Sequence, residues 1–106
     1  MNRRYDLLIR NATIIDGARR PRYAGDIGVR AGRIADIGLL AAARAEVEID
    51  AQGKIAAPGF IDAHTHDDRL LASDPAMTPK VSQGVTSVIA GNCGISLAPL
   101  VSASPP

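Results

Sequence analysis

Apolar and polar residues alternate with a period of two through most of the first fifty positions, and then the pattern changes. Tyr5 to Arg10 and Ala12 to Asp16 read as two short strands rich in Leu, Ile and Thr, separated at Asn11 and closed by the turn residue Gly17. Ala18 to Gly25 is a polar loop. Asp26 to Arg30 and Arg33 to Ile37 alternate again through Ile27, Val29 and Ile34, with Ala31-Gly32 as a two-residue hairpin connection. Leu39 to Arg44 is alanine-rich and predicts one or two helical turns. Val47 and Ile49 then resume the strand period within Glu46 to Asp50, and Ala51-Gln52-Gly53-Lys54 is a turn. The spacing predicts a small antiparallel β domain over residues 1–54, with one dry face. Its acids Asp6, Asp16, Asp26, Asp36 and Asp50 each sit beside a turn or strand end, where a carboxylate commonly caps backbone amides.

From residue 55 onward the texture is that of an α/β protein. Pro58-Gly59 marks the entry to an apolar strand whose body is Phe60, Ile61 and Ala63 and whose end carries His64 and His66. Asp67-Asp68-Arg69 is a polar break, and Leu70 to Ala72 predicts a helical turn. Thr78 reads as an N-cap with Pro79 at the first helical position; Lys80 to Gln83 continue that helix and Gly84 stops it. Val85 to Ala90 is a continuous run of the kind buried on both faces in a parallel sheet. The connection from His66 to Val85 is long enough for a crossover, so Phe60–Thr65 and Val85–Ala90 should be adjacent and parallel.

Composition narrows the functional classes. With 106 residues, 46% hydrophobic, 22% charged and a net charge of +1, the chain reads as an ordinary soluble globular protein. Its arginines are interleaved with acids, the Arg19-Arg20-Pro21-Arg22 run reads as a solvated loop tip, and 3% aromatic residues offer no platform for bases, so nucleic acid is not an expected partner. No apolar run has signal-peptide or membrane-span length, and a cytoplasmic protein without membrane association is expected. The single cysteine, Cys93, cannot form an internal disulfide.

The candidate chemistry lies at two strand ends. On a strand, His64 and His66 would project to the same side about 7 Å apart, where they are either an idle surface pair or two imidazoles able to converge on one metal. Gly91-Asn92-Cys93-Gly94 follows the second strand, at the rim where barrels of parallel strands build their active sites. With strands about 4.8 Å apart, a thiolate there could reach a metal near the histidines. Cys93 is thus a buried small hydrophobe, a ligand or a nucleophile; no neighbouring base supports the last. Asp62 either orients a histidine or caps the strand end.

Pro58 to His66, Met77 to Thr86 and Gly91-Asn92-Cys93-Gly94-Ile95-Ser96-Leu97-Ala98-Pro99-Leu100 together resemble the N-acyl-D-amino-acid deacylase (D-aminoacylase) branch of the amidohydrolase superfamily. The Pro-Gly-x-Ile-Asp-x-His-x-His element is shared with hydantoinases and dihydroorotases, whereas Gly-Asn-Cys-Gly-Ile-Ser is specific to the branch. The resemblance implies β-sandwich-like strands, then, over residues 55–106, the first two strands and first helix of a (β/α)8 metal-dependent hydrolase barrel. It implies Zn2+ as cofactor, with Cys93 as a zinc ligand and His64 and His66 lining a second, weaker metal position. The implied reaction is hydrolysis of a small-molecule N-acyl-D-amino acid to a carboxylate and a D-amino acid. Such a barrel takes about 250 residues, so the chain is expected to be an amino-terminal part, inactive alone, whose general base and further histidine ligands lie beyond residue 106. The alternatives are a cyclic-amide hydrolase of hydantoinase or dihydroorotase type and a non-catalytic β-domain interaction module.

Overall fold

Strand β1 (Arg4–Ile14) organises the first unit of the computed structural model, which describes residues 4–98. β2 (Tyr23–Arg30) pairs with β1 antiparallel, and β3 (Arg33–Gly38) pairs with β2 antiparallel. The hairpin between β2 and β3 is the expected one. Ala31 and Gly32 have φ of 51° and 71°, the left-handed pair that a twisted two-residue connection requires, and the Ala31 amide donates to Asp6 Oδ2 at 2.6 Å.

Two features depart from the antiparallel expectation. β4 (Arg44–Asp50) and β5 (Ile55–Ala56) both run parallel to β1, so the sheet is mixed, in the order β3-β2-β1-β4 with β5 also on β1. The reason lies in Leu39–Ala43, which forms a turn instead of the expected helix. β3 and β4 are three strand spacings apart, about 14 Å. Five helical residues rise only about 8 Å, whereas five extended ones span about 16 Å, so a helix there could not carry the chain across. The Arg10 guanidinium braces the crossing, donating to Ala43 O at 2.9 Å and Leu40 O at 3.3 Å.

β1 is also one strand where the pattern suggests two. Asn11 sits at φ 55° in a bulge between Ile9 and Ala12, its amide donating to Asp26 Oδ1 at 2.9 Å and its Nδ2 to Asp50 Oδ1 at 3.0 Å. The bulge divides β1 between two partners, β4 before it and β5 after it. Because β5 belongs to this sheet, the chain divides into its two compact units between Pro58 and Gly59, a few residues later than residue 54.

The core of this unit is Tyr5, Leu8 and Ala43, with Leu40 and Ala45 packed against it. Gly28 makes room for the Tyr5 ring: a Cβ there would lie 2.5 Å from a ring carbon. Ile9, Ile14, Ile27, Val29, Ile34 and Ile55 line an apolar groove of about 680 Å3. The predicted dry face is therefore open within this unit, Ile34 and Ile55 being 63% and 61% exposed. Among the described residues no helix is long and apolar enough to cross a membrane.

Four of the five acids cap amides as expected: Asp6, Asp16, Asp26 and Asp50 accept from Ala31, Ala18, Asn11 and Gln52. Asp36 instead accepts from the Tyr5 hydroxyl at 2.6 Å. Asp50 is held below the usual carboxylate range, first by Asn11 Nδ2 and then by the Gln52 amide, and Asp16 is lowered by the Ala18 amide and by Arg20. A carboxyl whose folded pKa is depressed adds stability that is fully present above its unfolded pKa of about 3.9 and is lost as pH falls through the folded value. The melting temperature is therefore expected to hold from pH 7 to about pH 5 and to fall below about pH 4. Asp50→Asn, which keeps an oxygen for both donors, should make that acid decline shallower; thermal melts followed by circular dichroism across pH 3–7 measure it.

Candidate metal centre

The second unit is built on two short parallel strands, β6 (Phe60–Asp62) and β7 (Val85–Val88). Phe60 N donates to Gly84 O and Ile89 N to Asp62 O, both at 2.9 Å, which locks the register. Gly59 is required by closeness: a Cβ there would fall 2.7 Å from the Thr86 Cβ. Between the strands lie helices α1 (Asp68–Ser73) and α2 (Thr78–Val81). α2 begins one residue earlier than the Thr78 cap predicts. Met77 occupies the N-cap at φ 51° and Pro79 falls within the first turn, where its missing N–H costs nothing.

Both strands stop before their predicted ends. β6 ends at Asp62 because Asp62 Oδ1 accepts the His64 amide at 3.2 Å, a local side-chain bond that competes with the ladder. His64 and His66 therefore sit on the segment just past the strand, and the two-residue alternation does not place them. They nevertheless face each other edge-on, with ring centroids 6.0 Å apart. The turn after β7 brings Cys93 to them. His64, His66 and Cys93 each offer a ligand atom, and these atoms lie within 4.8 Å of one another. All three side chains are exposed, which removes the buried-hydrophobe reading of Cys93.

Asp62 turns out to be a cap. Its Oδ1 takes the His64 amide and its Oδ2 pairs with Lys80 Nζ at 2.6 Å. Lys80 is the residue that sequence reasoning passed over as a continuation of its helix. Its ammonium also lies 2.9 Å from Asp67 Oδ2 as an ion pair and donates to Thr65 Oγ1 at 3.1 Å. Thr65 is the buried polar residue of the described chain, 8% exposed. One lysine thus grips the histidine segment before, between and after its two imidazoles. The pairing with Asp62 and Asp67 holds Lys80 above the ordinary lysine range, and Lys80 holds Asp62 below the ordinary carboxylate range. Lys80 therefore stays an ammonium at neutral pH, a structural cation and not a nucleophile.

The donor set suits zinc: imidazole and thiolate are its preferred protein ligands, at about 2.0–2.3 Å. Tetrahedral geometry at those lengths asks for donors roughly 3.3–3.7 Å apart, so a contraction of about 1 Å from the widest separation would enclose an ion.

A profile of the amidohydrolase family matches residues 47–103, just over half of the chain. The chain belongs to the amidohydrolase family. This amidohydrolase chain is 56% identical, over 96% of its length and 21% of the relative's, to a D-aminoacylase of Alcaligenes xylosoxydans xylosoxydans. Its structure superposes on that of a D-aminoacylase with a TM-score of 0.86 at 54% identity, covering 96% of this chain and 22% of the other. It also superposes on an N-acyl-D-glutamate deacylase of Bordetella bronchiseptica, complexed with zinc and a phosphonate mimic of the tetrahedral intermediate, with a TM-score of 0.85 at 52% identity over 91% of this chain and 20% of that one. The chain spans about a fifth of the length of these relatives. The strand-rich α/β fold and the resemblance to the N-acyl-D-amino-acid deacylases thus agree with the matches.

Proposed function

We propose that this chain supplies the first metal-binding segments of a zinc-dependent amidohydrolase that cleaves N-acyl-D-amino acids to a carboxylate and a D-amino acid. The observation that carries the reading is the convergence of His64, His66 and Cys93 within 4.8 Å, in a chain similar to D-aminoacylase and N-acyl-D-glutamate deacylase. β6 and β7, parallel and separated by helices, serve in this reading as the opening strands of a (β/α)8 barrel, with the donors at their carboxyl ends. Cys93 would ligate zinc, and His64 and His66 would line a second, looser position beside it. Bound zinc supplies Lewis-acid polarisation of the scissile carbonyl and lowers the pKa of a bound water toward about 7. The chain's own part is to hold a thiol and two imidazoles at a fixed spacing, with Lys80 neutralising Asp62 and Asp67 behind them. The thiol gives up its proton on ligation, so uptake should strengthen as pH rises.

The test is zinc uptake beside turnover. The 106-residue chain is expected to retain about one zinc per chain through gel filtration and to release it to a chelator. It is expected to show no sustained hydrolysis of N-acetyl-D-methionine or N-acetyl-D-glutamate, because three donors without a positioned proton shuttle do not complete a hydrolytic site. A protein of the relatives' length carrying this region is expected to hydrolyse the D and not the L substrates. Failure of the chain to bind zinc, or turnover by the chain alone, would overturn this assignment of the site.

A further inference from the structure

We propose that Asn92 is a positioning residue that sets the Cys93 thiol beside the imidazoles, by tying the turn that bears the thiol to the segment that bears His64 and His66. The inference rests on the metal reading above and concerns how the donors are brought together.

Cys93 occupies a demanding place. It is exposed, so no packing fixes its side chain, and its backbone lies at φ 53°, a left-handed conformation uncommon for a residue with a Cβ. Gly91 and Gly94 on either side are also left-handed, at φ 71° and 76°. A turn of this kind extending from the end of β7 would place its thiol loosely unless something held it. A metal site needs its donors held to about 0.5 Å.

The hold comes from one carboxamide used at both ends. Asn92 Oδ1 accepts the Cys93 amide at 3.0 Å, and Asn92 Nδ2 donates to Ala63 O at 2.9 Å. Ala63 immediately precedes His64. The same side chain therefore bridges from the backbone of one donor residue to the backbone next to another. Asp68 fastens the far side of the turn, accepting from the Gly91 amide at 3.0 Å and from the Leu97 amide at 3.4 Å. Asp68 grips the base of the turn, and Asn92 acts at the thiol itself. Aspartate at 92 could keep the acceptor for Cys93 but has no donor for Ala63, serine lacks the reach, and glutamine adds a methylene.

Cobalt(II) is the probe, because a thiolate ligand gives a near-ultraviolet charge-transfer band that imidazole ligands do not. The wild-type chain with cobalt should show the band, and Cys93→Ala should abolish it. Asn92→Ala and Asn92→Asp are both expected to lose most of the band and to weaken cobalt binding by about 10-fold, the lower end of what outer partners of metal ligands contribute, while far-ultraviolet circular dichroism is unchanged. Asn92→Asp is nearly isosteric and decides the matter if Asn92→Ala does not fold. Retention of the band in both variants, or its restoration by aspartate alone, would show that Asn92 serves only its own turn and would overturn the inference while leaving the metal reading intact. Absence of the band in the wild-type chain would instead remove the metal reading itself.

Discussion

Cys93→Ala is expected to weaken zinc binding by at least about 100-fold, because it deletes a ligand and not merely a partner of one, and partners alone contribute 10–100-fold. The thiol is the only anionic donor in the set of His64, His66 and Cys93, so its loss also removes the charge that favours a dication over water. His64→Asn should cost less, about 10-fold, since His66 and Cys93 remain and, in the proposed site, the imidazole pair lines the looser position. Zinc content by atomic emission after exhaustive dialysis, together with competition against a chromophoric chelator, separates the two variants. In a protein of the relatives' length, Cys93→Ala should lose metal and turnover together, whereas His64→Asn should lose turnover with much of its zinc retained. If Cys93→Ala keeps its zinc, the cysteine is an exposed turn residue and the deacylase reading loses its most specific support.

Gly59→Ala should do comparable damage by a different route. The added methyl would meet Thr86 with its Cβ 2.7 Å from the Thr86 Cβ, far inside van der Waals contact. The obstacle is the root of the Thr86 side chain, so no rotamer change relieves it. β6 and β7 must separate, at a cost typical of overpacking, about 1–3 kcal/mol. The amides of Phe60 and Ile89, which carry the bonds at either end of this strand pair, are expected to exchange with solvent about 5- to 150-fold faster. Thr86→Gly, made alongside, should restore slow exchange, while Thr86→Ala should not, because the clashing Cβ remains. Unchanged exchange in Gly59→Ala would mean that the two strands are not held at the observed spacing.

Legibility in the sequence followed the range of the forces involved. The β2–β3 hairpin and the parallel pairing of β6 with β7 could be read because alternation, a two-residue turn and a long intervening connection are local signals. Capping by Asp6, Asp16, Asp26 and Asp50 could be read for the same reason. The parallel course of β4 could not, since it depends on where β3 leaves the sheet and how far the chain must travel. The alanines of Leu39–Ala43 favour helix intrinsically, but the distance to be crossed outweighs a propensity of a few tenths of a kcal/mol per residue. At the site, residue types pointed to His64, His66 and Cys93, which the structure brings together, while strand periodicity misjudged their support: the Asp62 side chain ends β6 early, and turns, not strands, bring the three side chains together. Lys80 was the residue missed. Its signal was a lone cation within Thr78–Val85, facing a segment with Asp62 and Asp67 on either side of the histidines.

The open apolar groove on the β1–β5 sheet bears on how this unit responds to temperature. The heat capacity of unfolding arises chiefly from apolar surface newly wetted when a chain opens. Here much of that surface is wet already, and the buried apolar residues of the described chain are Tyr5, Leu8, Ala12, Ile14 and Ala43. The curvature of the stability curve should accordingly be smaller than the ordinary ~12–15 cal/mol/K per residue would give. Any segment that came to cover the isoleucines would do more than add free energy: it would bend that curve, moving the sheet's cold and hot limits toward each other for a given maximum stability.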